Sequence, residues 1–301
     1  MAQSPEPPPH PRKFNTRNSE RFNKKISICH CSVLARGVAG AAFEEADEML
    51  GVLEAEAVAD LRDRERQVVE QLARRMASPD INTEDFSAAV DFLSVQPDVD
   101  ANRIGILGIC GFGGFAISAA ANDTRIKATV ASTMYDMCRV TANGYNDSDD
   151  NADARYKAKE AMNAQRTEDY RTGAYRRAGG VVDPLPDDAP QFVKEYYAYY
   201  KTPRGYHVRS GNSTDGWNVT SSLPFINFTL LDRAGEIRNA VMVVHGEKAH
   251  SRYFSEDAFK KLHGDNKELL IVADANHCDL YDNLEKIPFD QIATFFSTYM
   301  K

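Results

Sequence analysis

Apolar and polar residues follow two different patterns along this chain, and the change comes near Ala77. Between Phe43 and Met76 the apolar positions Phe43, Ala46, Leu50, Leu53, Ala57, Leu61, Val68 and Leu72 recur mostly at three- and four-residue steps, with Glu and Arg between them. That period predicts an amphipathic helix or helix pair packed on one face. A partner-binding coiled coil is the other reading, and Gly51 and Asp60 weaken its seam. Residues 1–25 are rich in Pro, Asn, Lys and Arg and are expected to be disordered. Ile26 to Leu34 reads as a short strand with no evident partner.

Beyond Ala77 short apolar runs alternate with helical stripes. Ser78-Pro79-Asp80 opens a helix whose stripe is Phe86, Ala89, Val90 and Leu93. A turn at Asp98–Asn102 leads to RIGILGIC, Arg103 to Cys110, a continuous apolar run of the kind buried on both faces of a parallel sheet. The glycine-rich turn 111–114 and an alanine-rich helix to Ala121 come next, then a second such run, Ile126 to Ser132. Ala240 to His245 and Glu268 to Ala273 are the last two runs, with a helix from Ser255 to Leu262 between them and a final helix over Pro288 to Tyr299. This order predicts an α/β fold with a doubly wound, mostly parallel sheet. Residues 138–239 hold no buried strand run but carry charge and the tyrosines Tyr196, Tyr197, Tyr199 and Tyr200, which predicts a helical lid inserted between two strands. The expected organisation is a disordered segment 1–25, a helical segment 26–76 and one domain, 77–301, with its lid.

With 301 residues, 43% hydrophobic and 27% charged, the chain has apolar mass for one large domain or two small ones. A net charge of -8 disfavours binding to nucleic acid or to an anionic membrane surface. No apolar run approaches the roughly 18 residues that span a bilayer, and MAQSPEPPPHPRKFN lacks the apolar core of a secretion signal. Five scattered cysteines suggest free thiols in a reducing compartment, so a cytoplasmic location is expected.

In an open α/β sheet the chemistry sits beyond the carboxyl ends of the strands. RIGILGIC delivers Cys110 into the turn before a helix, where the helix dipole favours a thiolate. The last strand is followed by Ala273-Asp274-Ala275-Asn276-His277, the third by Glu247 and His250, the second by Tyr135 and Asp136. A nucleophile, a late histidine and an acid on neighbouring strand ends form the hydrolase constellation. The acid stays open between Glu247 and Asp136. His245 with His250, and Cys29-His30-Cys31, are poor ligand sets, so no metal is expected. Gly108 to Gly114 lacks the Gly-Lys-Ser/Thr ending of a phosphate loop, and no cofactor is expected.

The segments RIGILGICGFGGFAISAA (103–120), DTRIKATVASTMYDM (123–137), EKAHSRYFSEDAFKKL (247–262) and ANHCDLYDN (275–283) together resemble the α/β-hydrolase superfamily, in particular its dienelactone-hydrolase-like microbial members. The resemblance covers residues 77–301 and implies hydrolysis of a small-molecule ester, lactone or related acyl compound by a nucleophile elbow and a histidine base. It implies Cys110 as nucleophile and His277 as base; Glu247 or Asp136 is expected to substitute as the acid, with Phe112 and Tyr135 as the expected substrate contacts. Three departures stand out. Phe112 occupies the position where many relatives carry a nucleophilic serine; dienelactone hydrolase instead uses a cysteine two residues after a glycine, which matches Gly108-Ile109-Cys110 but asks for a small residue at 112. His250 replaces an aspartate common in relatives. Residues 1–76 contain no recognisable front half of the fold and no oxyanion-hole loop. An inactive binding protein on the same fold, or a truncated or chimeric fragment, is the alternative expectation, and an uncovered sheet edge leaves room for self-association.

Overall fold

The apolar runs become strands whose alternate residues serve two separate cores. The computed structural model of the chain describes residues 27–30, 78–207 and 210–301. The expectations for residues 1–25, for the helix from Phe43 to Met76 and for the oxyanion loop lie outside the described residues.

Strands β1 (Ser27–His30), β2 (Ile104–Ile109), β3 (Ile126–Ser132), β4 (Ala240–Gly246) and β5 (Lys267–Val272) form one sheet in the order β1-β2-β3-β4-β5, every neighbouring pair parallel. The stretch read as a strand without a partner thus pairs with β2, Ser27 opposite Ile104 and His30 opposite Leu107. Because side chains alternate along a strand, Ile104, Ile106, Val241 and Val243 enter one core while Leu107, Ala128, Met242 and Val244 enter the other. Helices α1 (Pro79–Ser94) and α2 (Gly111–Asn122) cover the first face through Phe86, Val90, Phe115 and Ile117. Between β3 and β4 the chain runs through α3 (Met137–Asn143), α4 (Ala152–Thr172), α5 (Gln191–Tyr200) and α6 (Ser222–Ile226). Helix α7 (Arg252–Lys261) returns the chain to β5 and packs Phe254 and Ala258 into the first core. After the single turn α8 (Asp279–Asp282), α9 (Phe289–Tyr299) seals the second face with Phe295 and Phe296, aided by Met300 just past its end. Helices on both faces of a parallel sheet make the fold doubly wound, as the alternation predicted.

Position 105 shows how closely α9 lies on the sheet: a Cβ on Gly105 would stand 2.7 Å from the Phe296 ring and 2.6 Å from the Met300 sulfur. Among the described residues no helix is long and apolar enough to cross a membrane.

Candidate active site

Four strands deliver side chains to one edge of the sheet, and Cys110 stands at the end of β2. Its φ of 58° and ψ of -128° lie in a region that non-glycine residues seldom occupy. The surroundings hold it there. The Cys110 N–H donates to Ser132 O at 3.0 Å, and its carbonyl accepts from the N–H groups of Gly113 and Tyr135, both at 2.9 Å. Such a turn needs strand and helix to approach closely, and the residues that permit it are Gly108, Gly113 and Gly114. A Cβ on these would lie 2.1 Å from Phe112 O, 2.6 Å from Met134 Cβ and 2.3 Å from Tyr135 O respectively.

Phe112 therefore meets Gly108 with its backbone carbonyl, not with its ring. The ring turns away between Phe86 and Phe115, with centroids 6.1 and 5.6 Å distant. The small-residue requirement expected at position 112 falls on Gly108 instead, and the structure places Phe112 in the helix core rather than among the groups facing Cys110.

His277 lies in the loop after β5, and the loop is pinned from both ends. Asn276 and Asp279 exchange backbone-to-side-chain bonds of 2.9 Å, and Lys286 holds the Asp279 carboxylate at 2.8 Å. Gly246 lets Ala275 O come so close that a Cβ there would be 2.4 Å from it. The imidazole is buried. Its Nδ1 has Ser251 Oγ at 2.6 Å and Thr133 Oγ1 at 2.9 Å; its Nε2 has the Tyr281 hydroxyl at 2.8 Å. Cys110 lies close enough to the Tyr281 hydroxyl and the Gly111 N–H for both to pull its pKa down. Cysteine and histidine thus stand at the same edge of the sheet, with the Tyr281 phenol bonded to the imidazole.

The acid side of the site departs from the sequence expectation. Glu247 is exposed and accepts a bond from the Asp274 N–H at 3.0 Å, and no bond joins it to His277. Asp136 caps α3, accepting from the N–H groups of Cys138 and Arg139 at 3.1 and 2.9 Å. A hydroxyl chain continues from His277 instead: Ser251 Oγ stands 3.0 Å from His245 Nε2, and His245 Nδ1 is 2.6 Å from Ser255 Oγ. His245, Ser251 and Ser255 are fully buried at the end of β4 and the start of α7.

Aromatic groups close the site. The Tyr135 hydroxyl bonds His250 Nε2 and accepts from the Tyr196 hydroxyl at 2.9 Å, with its ring 5.1 Å from that of His277. From α5, Phe192 stacks on His250 at 4.3 Å, Tyr196 stands 5.4 Å from His277, and Tyr199 lies 4.9 Å from Tyr281. Just past this helix Arg204 grips both oxygens of Asp282 at 2.6 and 2.8 Å, and its guanidinium lies over the Tyr199 ring.

Burial sets the charge state of the cluster. It pushes the Cys110 thiol up, against the opposing pull of the Tyr281 hydroxyl and the Gly111 N–H, so the thiolate expected at the helix N-terminus is disfavoured in this closed arrangement. Burial, and then repulsion from His245 and His250, holds His277 well below the usual imidazole range. His245 falls to about 3 and His250 to about 4, both chiefly through burial. Tyr135, Tyr196 and Tyr281 are pushed up by the same cause. At neutral pH the cluster is a set of neutral thiol, phenol and imidazole groups. Among the described residues no group of three or more His, Cys, Asp or Glu side chains could hold a metal ion.

Tyr281, Ser251 and Thr133 carried no sequence signal of their own. The spacing of Tyr281 four residues after His277, in the single turn α8 that follows the loop, is the one cue that could have marked it.

Comparison with known proteins places these residues in context. A family model described as the dienelactone hydrolase family matches residues 50–137, starting upstream of Ala77. Protein PA2218 of Pseudomonas aeruginosa is 50% identical over 230 residues, 75% of this chain and 61% of its own length. The crystal structure of PA2218 superposes with a TM-score of 0.71 at 49% identity, covering 74% of this chain and 68% of the other. Protein YcjY of Escherichia coli is 32% identical over 213 residues, 69% of this chain and 67% of its own. The α/β hydrolase GrgF from a Penicillium species shares the fold, with a TM-score of 0.57 at 18% identity over 74% of this chain and 73% of the other. The chain thus spans 61% of the length of PA2218.

Proposed function

Because the chain belongs to the dienelactone hydrolase family, within the α/β-hydrolase fold, we propose that it hydrolyses a small-molecule carboxylic ester or lactone, with Cys110 as nucleophile and His277 as general base. The observation that carries this reading is the backbone of Cys110. A non-glycine residue at φ 58° between a parallel strand and a helix N-terminus presents its side chain at the sheet edge that also carries His277. In the reaction the Cys110 proton passes to His277 as the sulfur adds to the acyl carbon, and the carbonyl electron pair moves onto oxygen. The Gly111 N–H, first in the helix that follows Cys110, is a donor for that oxyanion. Collapse expels the alcohol, which takes the proton back from His277. Water then adds to the thioester with His277 again as base, releasing the acid and restoring the thiol.

The lid aromatics Phe192, Tyr196 and Tyr199 with Tyr135 line the approach and favour an uncharged acyl group. Their packing over His250 and His277 also favours a second reading, a protein that binds a ligand without turning it over. One experiment separates the two: incubation with p-nitrophenyl acetate, followed by peptide mass mapping and release of p-nitrophenolate. The hydrolase reading expects a transient acetyl group on the peptide carrying Cys110, continued release, and loss of both in Cys110→Ala. No acetylation and release equal to that of Cys110→Ala would leave only the binding reading.

A further inference from the structure

We propose that His250 is a specificity-determining residue whose Nδ1–H donates to a neutral oxygen in the acyl part of the substrate, separate from the ester group; the inference deepens the hydrolase reading given above and rests on it. Nδ1 is fully buried and has no hydrogen-bond partner among the described residues. Its protonation follows from the bonds around it. The Tyr135 hydroxyl accepts from the Tyr196 hydroxyl at 2.9 Å and stands against His250 Nε2. A phenol has one hydrogen, so Tyr135, having taken the hydrogen of Tyr196 on a lone pair, gives its own to Nε2. Burial keeps the imidazole neutral, its pKa falling to about 4. A neutral ring whose Nε2 accepts carries its hydrogen on Nδ1. The run of donors Tyr196, Tyr135, His250 therefore ends on an N–H without an acceptor.

A buried donor left unpaired is costly, so a site built around one selects a ligand that supplies the acceptor over an analogue that lacks it. Position says which part of a substrate meets it. The ring stacks on Phe192 of α5 at 4.3 Å, with Tyr196 of the same helix and His277 each 5.7 Å away. His250 thus stands between the proposed base and the lid. The oxyanion donor, the Gly111 N–H, begins α2 after β2, whereas His250 follows β4, with β3 between the two strands. A bound ester that gives its carbonyl oxygen to Gly111 leaves His250 to meet another part of the molecule, under the lid. The rings packed on His250, those of Phe192, Tyr196, Tyr145, Tyr135 and His277, are all uncharged. Such a lining favours an ether, ketone or hydroxyl oxygen over a carboxylate, which would need a cation to replace its hydration.

The test compares p-nitrophenyl methoxyacetate with p-nitrophenyl butyrate, which differ by one oxygen in place of a methylene. Both are assayed with the full chain and with His250→Phe, which keeps an aromatic ring against Phe192. Differences in intrinsic reactivity cancel when the ratio of the two kcat/KM values is compared between the proteins. The methoxyacetate-to-butyrate ratio should fall by about 10-fold in His250→Phe, the loss expected of one hydrogen bond from a buried donor. A role confined to packing would change both esters alike. A second readout needs no change at His250. In Cys110→Ala with nitrogen-15 in its histidines, nuclear magnetic resonance should show a hydrogen on His250 Nδ1 and none on Nε2. Methyl methoxyacetate should move that Nδ1–H resonance, and methyl butyrate should not. A hydrogen on Nε2, or a kcat/KM ratio in His250→Phe within about twofold of that of the unaltered chain, would overturn the inference while leaving Cys110 and His277 in their roles. No turnover of either ester by the unaltered chain, with the Nδ1–H response intact, would instead overturn the hydrolase reading and leave His250 as the donor of a binding site.

Discussion

Ser251 Oγ lies 2.6 Å from His277 Nδ1, the contact through which a carboxylate orients the base in a catalytic triad. Here a hydroxyl holds the imidazole, and the hydroxyl is itself held by His245 Nε2 at 3.0 Å. Thr133, at the end of β3 with a φ of 44°, adds a second oxygen at 2.9 Å. A hydroxyl fixes the tautomer and the ring plane as a carboxylate does, but it brings no charge to stabilise the imidazolium. His277 is consequently a well-oriented imidazole, and burial, with repulsion from His245 and His250, holds its pKa low.

Ser251→Ala removes the group between the two imidazoles. Thr133 still reaches His277 Nδ1, but His245 Nε2 is left buried without its partner, and an orphaned buried polar group costs about 1–3 kcal/mol. The urea midpoint should fall, and acetylation of Cys110 by p-nitrophenyl acetate should slow by roughly 10-fold as the imidazole loses its shorter anchor. Ser251→Thr, which keeps the oxygen, should recover most of the rate. A rate unchanged in the alanine variant would mean that Thr133 alone orients the base.

Acid should weaken the fold from about pH 6.5 downwards. His250 and His245 have folded-state pKa values of about 4 and about 3, below the unfolded value near 6.5, and His277 is displaced in the same direction. Between these limits the unfolded chain binds more protons than the folded one. The stability held in keeping them neutral is therefore complete above pH 6.5 and is lost as pH falls towards the folded values, each unit of separation being worth about 1.4 kcal/mol. Urea midpoints at pH 7.5 and 4.5 should differ clearly, and His250→Gln should shrink the difference. Equal midpoints would show that these imidazoles are hydrated in the folded chain.

Beside its aromatic contacts, the lid is fastened to the loop that carries His277 by an arginine clamp. Arg204 binds Asp282 through two nitrogens, reaches Cys278 O at 3.2 Å and covers the Tyr199 ring. Arg204→Ala should free the end of α5, and iodoacetamide should then label Cys110 several-fold faster at pH 8, as followed by mass spectrometry. Arg204→Lys should behave like the alanine variant, since an ammonium group cannot make the planar two-point contact. Unchanged labelling would mean that the aromatic contacts of Phe192 and Tyr196 suffice to keep the site shut.

Strands β2, β3 and β4 were legible because burial on both faces leaves a continuous apolar run, and these and β5 appear within a residue of their expected limits. The small differences have causes. Arg103 leaves β2 to bond Met300 O at 2.6 Å, and Cys110 leaves it through its positive φ. That Cys110 and His277 lie at one edge of the sheet was legible because both follow strands directly. What the sequence hid was orientation. Whether Phe112 meets Gly108 with ring or carbonyl depends on the dihedral angles of Cys110, which no residue pattern encodes. Glu247 and Asp136 are chemically suited to hold a histidine, yet each is occupied by backbone N–H groups nearby in space. Hydroxyl partners such as Ser251 and Thr133 leave no periodic trace, because almost any turn can carry one.

The elbow itself makes the last prediction. Gly108→Ala would put a Cβ 2.1 Å from the Phe112 carbonyl oxygen and 2.9 Å from Ala116 Cβ. The helix cannot retreat freely, because the Cys110 carbonyl is tied to Gly113 and Tyr135, and a Cβ-sized shift at Gly113 or Gly114 meets Met134 or Tyr135. The substitution should therefore lower the melting temperature by several degrees or more, at or beyond the upper end of the ~1–3 kcal/mol usual for overpacking, and abolish acetylation of Cys110. Gly211→Ala is the control, since a Cβ there meets nothing within 4 Å. Equal melting temperatures for the two variants would show that strand and helix stand farther apart than the nucleophile turn requires, and the case for Cys110 as the attacking group would lose its geometric ground.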